Sequence, residues 1–224
     1  MTADPARIMV WDWAVRLVHW LMVILVPLLW WTAEEGYMDW HRRLGLTMVG
    51  LVLFRLIWGF IGSWTARFVP MLRRIVSLKS YIRNLRAREN RATFGHSPLA
   101  VFGVLALLGA LATQVATGLF SVDIDGLESG PLAILVSFET GRQFAEFHEL
   151  NFNLLAALIG LHITAIAVYH FVLKERLFKP MVTGHRSRAD FSAEELPENR
   201  LRPIPMIAAA VLSLACVMFI LDFG

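Results

Sequence analysis

The stretch FHELNFNLLAALIGLHITAIAVYHF, residues 147–171, decides how this chain folds. It is apolar over more than the roughly 20 residues that a helix needs to cross a bilayer. It nevertheless contains His148 and His162, fourteen residues apart. On an α-helix this interval places both rings within about 40° of one face and about 21 Å apart along the axis. Ionisable side chains at membrane depth indicate a functional site, and this separation is too long for both rings to bind one metal ion.

The rest of the chain is also strongly apolar. Of its 224 residues, 57% are hydrophobic and 17% are charged, whereas a soluble domain is about half apolar and a quarter charged. The single cysteine, Cys216, excludes a disulfide framework, a cysteine-based zinc site and an iron–sulfur cluster within one chain. The first residues lack the layout of a signal peptide, so we expect them to remain in the mature protein.

Five apolar segments are long enough to span a membrane, which predicts an all-α integral membrane protein. They lie at about residues 13–32, 43–62, 99–120, 148–173 and 204–222.

The connections between these segments alternate in charge. Segments 63–98 and 174–203 are rich in Lys and Arg, whereas segments 33–42 and 121–147 are mainly acidic. Because Lys and Arg accumulate in cytoplasmic loops, we expect a cytoplasmic N-terminus and a periplasmic C-terminus. The basic excess, with a pI near 9.4, is thereby an orientation signal, and we expect no nucleic-acid binding.

The first basic segment also has an apolar periodicity. Its apolar residues recur at near-helical spacing among the arginines, at Leu72, Ile75, Val76, Tyr81, Ile82 and Leu85. This pattern predicts an amphipathic helix on the inner membrane surface, and a solvated connector is the alternative.

Two further histidines lie at depths that match the first two. His41 begins the second segment at the outer surface, and His19 lies about two turns into the first segment from the cytoplasmic side. By depth, His41 pairs with His148 and His19 pairs with His162. Two imidazoles that face each other across a helix bundle can be the axial ligands of a haem, so we predict an outer and an inner haem.

An arginine in the second segment supports an anionic cofactor. Arg55 follows His41 by fourteen residues, which places it on the same helix face at about the depth of His162. A buried guanidinium needs an anion, and the predicted helices have no acidic residue at that depth. A haem propionate would supply the negative charge.

Other arginines are candidates for the remaining propionates. Arg16 precedes His19 by three residues, one turn nearer the cytoplasm. At the outer end, Arg42 and Arg43 directly follow His41. We predict propionate contacts from these side chains.

Different roles remain open for several residues. The four histidines are alternatively hydrogen-bonded structural groups or a proton relay, although a relay would favour acidic residues within the helices. His170 lies about 80° from the face of His162 and is an interface residue or a neighbour of the inner haem. His96 and His185 are expected to face solvent. Gln114 makes a structural hydrogen bond or contacts a quinone.

Several motifs resemble the bacterial dihaem cytochrome b family. They are VWDWAVRLVHW, HRRLGLTMVGLVLFRLIWGFIGSWTARF, GHSPLA, FHEL with LHITA, and MVTGHR, and together they cover about residues 8–186. That family includes membrane cytochrome b subunits of nickel–iron hydrogenases, relatives that act with c-type cytochromes, superoxide-oxidising quinone reductases and other cytochrome b561-type proteins.

The resemblance implies a specific fold and cofactor set. It implies a four-helix haem-binding bundle with two haems b, each held by two histidines, and exchange of electrons with quinone. The ligand positions fall on His19, His41, His148 and His162.

The resemblance also suggests how the chain is divided. We expect a dihaem cytochrome b domain at 1–186, a cytoplasmic linker at 187–203 and an extra transmembrane helix at 204–222. The four-helix pattern does not need this fifth helix, which packs beside the bundle or forms a subunit interface, as in a homodimer.

The favoured function is respiratory electron transfer in the bacterial inner membrane. Electrons would pass between the quinone pool and a redox partner, a c-type cytochrome or an oxidoreductase subunit. The acidic segment 121–147 docks a basic partner, or it is an ordinary solvated loop.

Two alternatives remain, and no catalytic residue is assigned. The first is superoxide oxidation at the outer haem with reduction of quinone; Arg42, Arg43 and Arg142 would attract the anion, and the acidic surroundings weigh against it. The second is a haem-free membrane anchor or transporter.

Overall fold

A computed structural model describes the protein over residues 7–87, 92–191 and 196–222. Within these ranges the chain is mainly helical. The helices are α1 (Trp13–Glu34), α2 (Met38–Ile61), α3 (Phe68–Leu72), α4 (Leu78–Arg86), α5 (Pro98–Phe120), α6 (Phe138–Phe171), α7 (Phe178–Thr183) and α8 (Pro203–Leu221). Two three-residue strands, β1 (Arg7–Met9) and β2 (His185–Ser187), pair in antiparallel register.

Five of the helices in the described ranges, α1, α2, α5, α6 and α8, are long and apolar enough to cross a membrane. This confirms the predicted all-α membrane fold, including the fifth helix. A helix satisfies its own backbone hydrogen bonds, which is why apolar runs of this length are helical in a bilayer. The first six and last two residues of the chain, for which the sequence predicts opposite sides of the membrane, lie outside the described residues. The same is true of residues 192–195 in the predicted linker.

Helix α6 begins earlier than the apolar pattern predicts. It starts at Phe138 instead of near residue 148 and contains 34 residues. Ser137 precedes it and accepts a hydrogen bond on its Oγ from the Thr140 backbone N–H at 3.2 Å, as a helix-capping side chain does. Glu139 in the first turn also interacts favourably with the helix dipole. The apolar pattern predicts too late a start for α6, because its first turns are polar.

Within the first basic segment, the stretch predicted to be an amphipathic helix, residues 72–85, is helical. It is covered by the end of α3, a 3-10 turn at Arg73–Ser77, and α4. Tyr81 of α4 is buried, and its hydroxyl lies 2.8 Å from the Tyr169 hydroxyl, whereas Val76 is 91% exposed. The location of this segment on the inner membrane surface stays a prediction.

The chain divides into two compact units. The first contains the residues up to Leu17, Ile57–Leu105 and Gly160–Met206, and the second contains Val18–Leu56, Ala106–Ile159 and the residues from Ile207.

The first unit is organised around a buried carboxylate, Asp12. This residue is 0% exposed and lies directly before α1, where its Oδ1 accepts from the Val15 backbone N–H at 2.8 Å. Its Oδ2 accepts from Trp58 Nε1 at 3.1 Å and from the Ser63 hydroxyl. A buried charge is tolerated only with such partners, so Asp12 both caps α1 and ties it to the end of α2.

Asn199 fastens the segment before α8 to the same unit. Its Nδ2 donates to the Val10 carbonyl at 2.9 Å, and its Oδ1 accepts from the Thr65 backbone N–H at 3.2 Å. Asn199 is only 9% exposed. The predicted linker is therefore anchored to this unit at Asn199.

The second unit has an apolar core between helices α1, α2 and α5. Leu25, Met48 and Val52 are buried at its centre. Helix α8 also contacts α2 here, because a Cβ built on Gly50 would lie 3.4 Å from Val217 Cγ2. The fifth helix thus packs beside α2, one of the two locations expected for it.

The Asp12 network predicts a large effect on stability. Asp12→Ala would leave the indole of Trp58 and the hydroxyl of Ser63 buried without their acceptor, at a cost of about 2–4 kcal/mol in the free energy of unfolding. We expect a lower thermal midpoint of the detergent-solubilised protein, measured by tryptophan fluorescence. Asp39→Ala removes an exposed carboxylate and should change stability by less than about 1 kcal/mol. Equal midpoints for the two variants would contradict this role of Asp12.

Candidate haem site

The structure brings His41 of α2 and His148 of α6 together in the second unit. Their ring centroids are 6.3 Å apart and their planes are inclined by 79°. Two metal–nitrogen bonds of about 2.0 Å, plus about 1.1 Å from each nitrogen to its ring centre, give a centroid separation of about 6.2 Å for two imidazoles on one metal. The observed spacing therefore fits two axial ligands of one iron.

Hydrogen bonds orient both rings. His41 Nδ1 lies 2.9 Å from the backbone carbonyl oxygen of Leu29 in α1, and His148 Nδ1 lies 2.9 Å from that of Gln114 in α5. A carbonyl oxygen only accepts, so each Nδ1 carries the proton and donates. Each Nε2 then keeps its lone pair, which is the tautomer that a metal ligand needs.

A threonine accompanies each of these hydrogen bonds. Thr32 Oγ1 lies 3.5 Å from His41 Nδ1, and Thr117 Oγ1 lies 3.3 Å from His148 Nδ1. Each hydroxyl also donates to the carbonyl that accepts from the ring, at 3.0 Å for Thr32 and 3.1 Å for Thr117. The same arrangement of histidine, carbonyl and threonine thus occurs twice. It could not be predicted from the sequence, because a threonine three residues after another helical residue, as Thr32 follows Leu29, is common in helices.

Gly118 of α5 makes room for the His148 ring. A Cβ at this position would lie 2.8 Å from Cε1 and 3.1 Å from Nδ1 of that ring. Both distances are shorter than ordinary van der Waals contact, so a larger residue would displace the imidazole. The sequence shows Gly118 only as one of several small residues suited to close packing.

Gln114 has a structural role through its side chain as well. Its Oε1 accepts from Asn151 Nδ2 at 2.6 Å, and the same amide donates to the Ala110 carbonyl at 2.9 Å. This confirms the predicted structural hydrogen bond of Gln114 and links α5 to α6 close to the His148 ring.

Near the start of α2, Arg42 already has carboxylate partners. Its guanidinium lies 2.7 Å from Asp39 Oδ1 and 3.3 Å from Glu128 Oε2. Arg43 lies over the Trp40 ring, 5.6 Å from its centroid. The Arg42 guanidinium, for which the sequence predicts contact with a haem propionate, thus pairs with acidic side chains of the protein. The propionate contact by Arg42 stays a prediction.

The residues predicted for the inner haem are distributed over the two units. His19 of α1 and Arg55 of α2 belong to the second unit, and His162 of α6 and Arg16 of α1 belong to the first. Both His19 and His162 are half-buried. Their pairing stays a prediction.

Arg16 has a donor that is suited to an anion. Its Nη1 donates to the Val182 carbonyl, and its Nε is buried without a hydrogen-bond partner among the described residues. Gly184, with a φ of 84°, leaves space here, since a Cβ would lie 3.1 Å from that Nε. A haem propionate would satisfy this buried donor, so the residues present fit the cofactor.

The remaining histidines are not gathered into a site. His170 and His185 are exposed. This confirms the prediction that His185 faces solvent. His96 is half-buried, because its ring packs 4.6 Å from that of Trp11, and the expectation that it faces solvent is wrong. Across residues 7–87, 92–191 and 196–222 no three His, Cys, Asp or Glu side chains form a metal-binding group. A haem needs only two protein ligands, because its porphyrin supplies the other four.

A family model described as prokaryotic cytochrome b561 matches residues 10–184, which include all four predicted ligands. The chain belongs to the prokaryotic cytochrome b561 family. This cytochrome is therefore a multi-pass membrane protein that binds haem b and transfers electrons. No curated protein and no solved structure matches it. Helix α8 lies beyond the matched residues.

Gly118 provides a test of the His148 environment in this cytochrome. We expect Gly118→Ala to displace the imidazole and to weaken haem binding about 10- to 100-fold, the range for loss of ligand orientation. Haem retained per chain in detergent, measured by pyridine haemochrome absorbance, should fall. Gly109→Ala is the matched control on α5, since a Cβ there meets nothing within 4 Å. Unchanged haem retention in Gly118→Ala would show that this ring does not hold haem.

Proposed function

We propose that this cytochrome holds two haems b, an outer one on His41 and His148 and an inner one on His19 and His162. One observation carries the outer site: two imidazoles lie 6.3 Å apart with both Nδ1 atoms directed to backbone carbonyls. This arrangement leaves two Nε2 lone pairs for one iron. When bound, haem supplies the one-electron chemistry, and the protein supplies ligands, orientation and exclusion of water.

The inner site is supported by the geometry of α6 and by Arg16. His148 and His162 belong to one uninterrupted helix, so the fourteen-residue interval corresponds to about 21 Å along its axis. The buried Nε of Arg16 lies one turn from His19 in sequence and lacks a partner within the described residues. Two haems at different depths would let electrons cross the membrane in one hop between cofactors.

We further propose that electrons pass between membrane quinone and a redox partner at the periplasmic face, a c-type cytochrome or an oxidoreductase subunit. The charge asymmetry of the connections supports this orientation in the bacterial inner membrane. Asp125 and Glu139 are exposed in the acidic connection and would attract a basic partner.

The same surface weighs against superoxide as the substrate. Asp39 and Glu128 pair with Arg42, one of the three arginines that would attract the anion. Attraction of a small anion needs exposed positive charge. A basic protein partner is therefore favoured over superoxide at the outer haem.

Haem stoichiometry tests the two-site proposal. We expect two haems per wild-type chain and one in His148→Ala or His162→Ala, because loss of one of two axial ligands removes the haem that depends on it. His185→Ala is the matched control, since this exposed histidine lies outside both sites. Two haems retained in either ligand variant would refute the corresponding site.

Reduction kinetics test the partner. In the double variant Asp125→Asn with Glu139→Gln, we expect the rate of electron exchange with a basic c-type cytochrome to fall about two- to tenfold at low salt, with the difference lost at high salt. Reduction by a quinol should be unchanged, which makes it the internal control. Equal rates of the wild type and the double variant with the cytochrome would contradict docking at this face. Rapid reduction of the wild type by superoxide in stopped-flow would contradict the preference for a protein partner.

A further inference from the structure

A cleft of about 600 Å³ lies in the first unit, where α2 ends and α8 begins. Gly62, Ser63 and Trp64 line one part of it, and the segment from Glu198 to Pro205 lines another. This second part lies beyond the residues that match the family. The cleft is thus a feature that the fifth helix and the segment before it add to the cytochrome.

The cleft is rich in positive charge. Three guanidinium groups line it, those of Arg67, Arg200 and Arg202, and Glu198 is the one carboxylate among its described lining residues. Glu198 pairs with Arg200, and Arg202 Nη1 donates to the Ile61 carbonyl at 2.9 Å. The Nε of Arg67 is buried and has no hydrogen-bond partner within the described chain. These groups offer more donors than the cleft's own acceptors satisfy.

The cleft lies at the ends of two helices that are long and apolar enough to span a membrane, which is the depth at which lipid headgroups are found. Ile61 and Pro203 are the terminal residues of two spanning helices, so the cleft lies at the boundary between hydrocarbon and water. Trp64 lines the cleft, and tryptophan is typical of this boundary. The Arg74 guanidinium lies over its indole ring, 5.5 Å from the ring centroid.

Exposed apolar side chains lie on the ends of the two helices that border the cleft. Ile204, which lines the cleft, is 80% exposed, and Phe60 on the last turn of α2 is 69% exposed. Apolar groups this exposed at the end of a spanning helix are suited to contact with acyl chains.

We propose that this cleft binds an anionic phospholipid of the phosphatidylglycerol class. The phosphodiester would accept from Arg67 and Arg200, and an acyl chain would lie along Ile204. Basic pockets between spanning helices bind anionic headgroups in this way. A quinone carries no charge that would need three arginines, and a zwitterionic lipid carries an ammonium group that the arginines would repel.

Native mass spectrometry of the full-length, haem-loaded protein in detergent tests this assignment. The probes are phosphatidylglycerol and, at equal concentration, phosphatidylethanolamine. We expect the wild type to retain phosphatidylglycerol preferentially, and Arg67→Gln with Arg200→Gln to weaken its binding roughly tenfold or more. Arg73→Gln is the matched control, because it removes an exposed charge from a nearby segment outside the cleft. Haem content should be the same in all variants.

Several results would overturn the proposal. Equal retention of the two lipids, or equal retention of phosphatidylglycerol by the wild type and the double variant, would show that the cleft does not recognise the anionic headgroup. Displacement of the lipid by millimolar inorganic phosphate would make the cleft a site for free anions. Displacement by a short-chain quinone alone would make it a quinone site.

Discussion

The hydrogen bond from an imidazole Nδ1–H to a helix carbonyl is the interaction on which the site of His41 and His148 depends. It occurs on both histidines, at 2.9 Å each, with the carbonyl supplied by a neighbouring helix. Such a bond fixes the tautomer, holds the ring plane and raises the basicity of the opposite nitrogen. A more basic axial ligand favours ferric over ferrous iron, so these two carbonyls would also influence the potential of the haem.

Carbonyl acceptors can serve this purpose only if the helices keep their relative positions. In the second unit the apolar contacts of Leu25, Met48 and Val52 hold α1 against α2, and the Asn151 amide ties α6 to α5. In the first unit the buried Asp12 carboxylate plays the corresponding role for the beginning of α1 and the end of α2. Buried polar groups in a bilayer must find partners within the protein, and here those partners lie on different helices.

Much of the fold could be predicted from the sequence, because a bilayer imposes length and composition on each span. Depth and helical interval also paired His41 with His148, which the structure brings together. The acceptors of the Nδ1 protons could not be predicted, since every residue has a backbone carbonyl and only packing selects Leu29 and Gln114. The ion pair of Arg42 with Glu128 could not be predicted either, because the two residues are far apart in sequence. The apolar pattern places the start of α6 too late, because this start depends on capping by Ser137 and not on hydropathy.

The length of α6 has a consequence for molecular recognition. Its 34 residues correspond to about 51 Å, whereas the hydrocarbon core of a bilayer is about 30 Å thick. The helix therefore extends well into water. The start of the acidic segment 121–147 is hydrogen-bonded to its first turns, because the Val122 N–H donates to the Gly141 carbonyl and Arg142 donates to the Val122 carbonyl, both at 3.1 Å. A protein arriving from the aqueous phase would meet a surface that is already ordered. Little conformational entropy would be lost on docking, so a partner could bind in a defined geometry without the cost of ordering this surface.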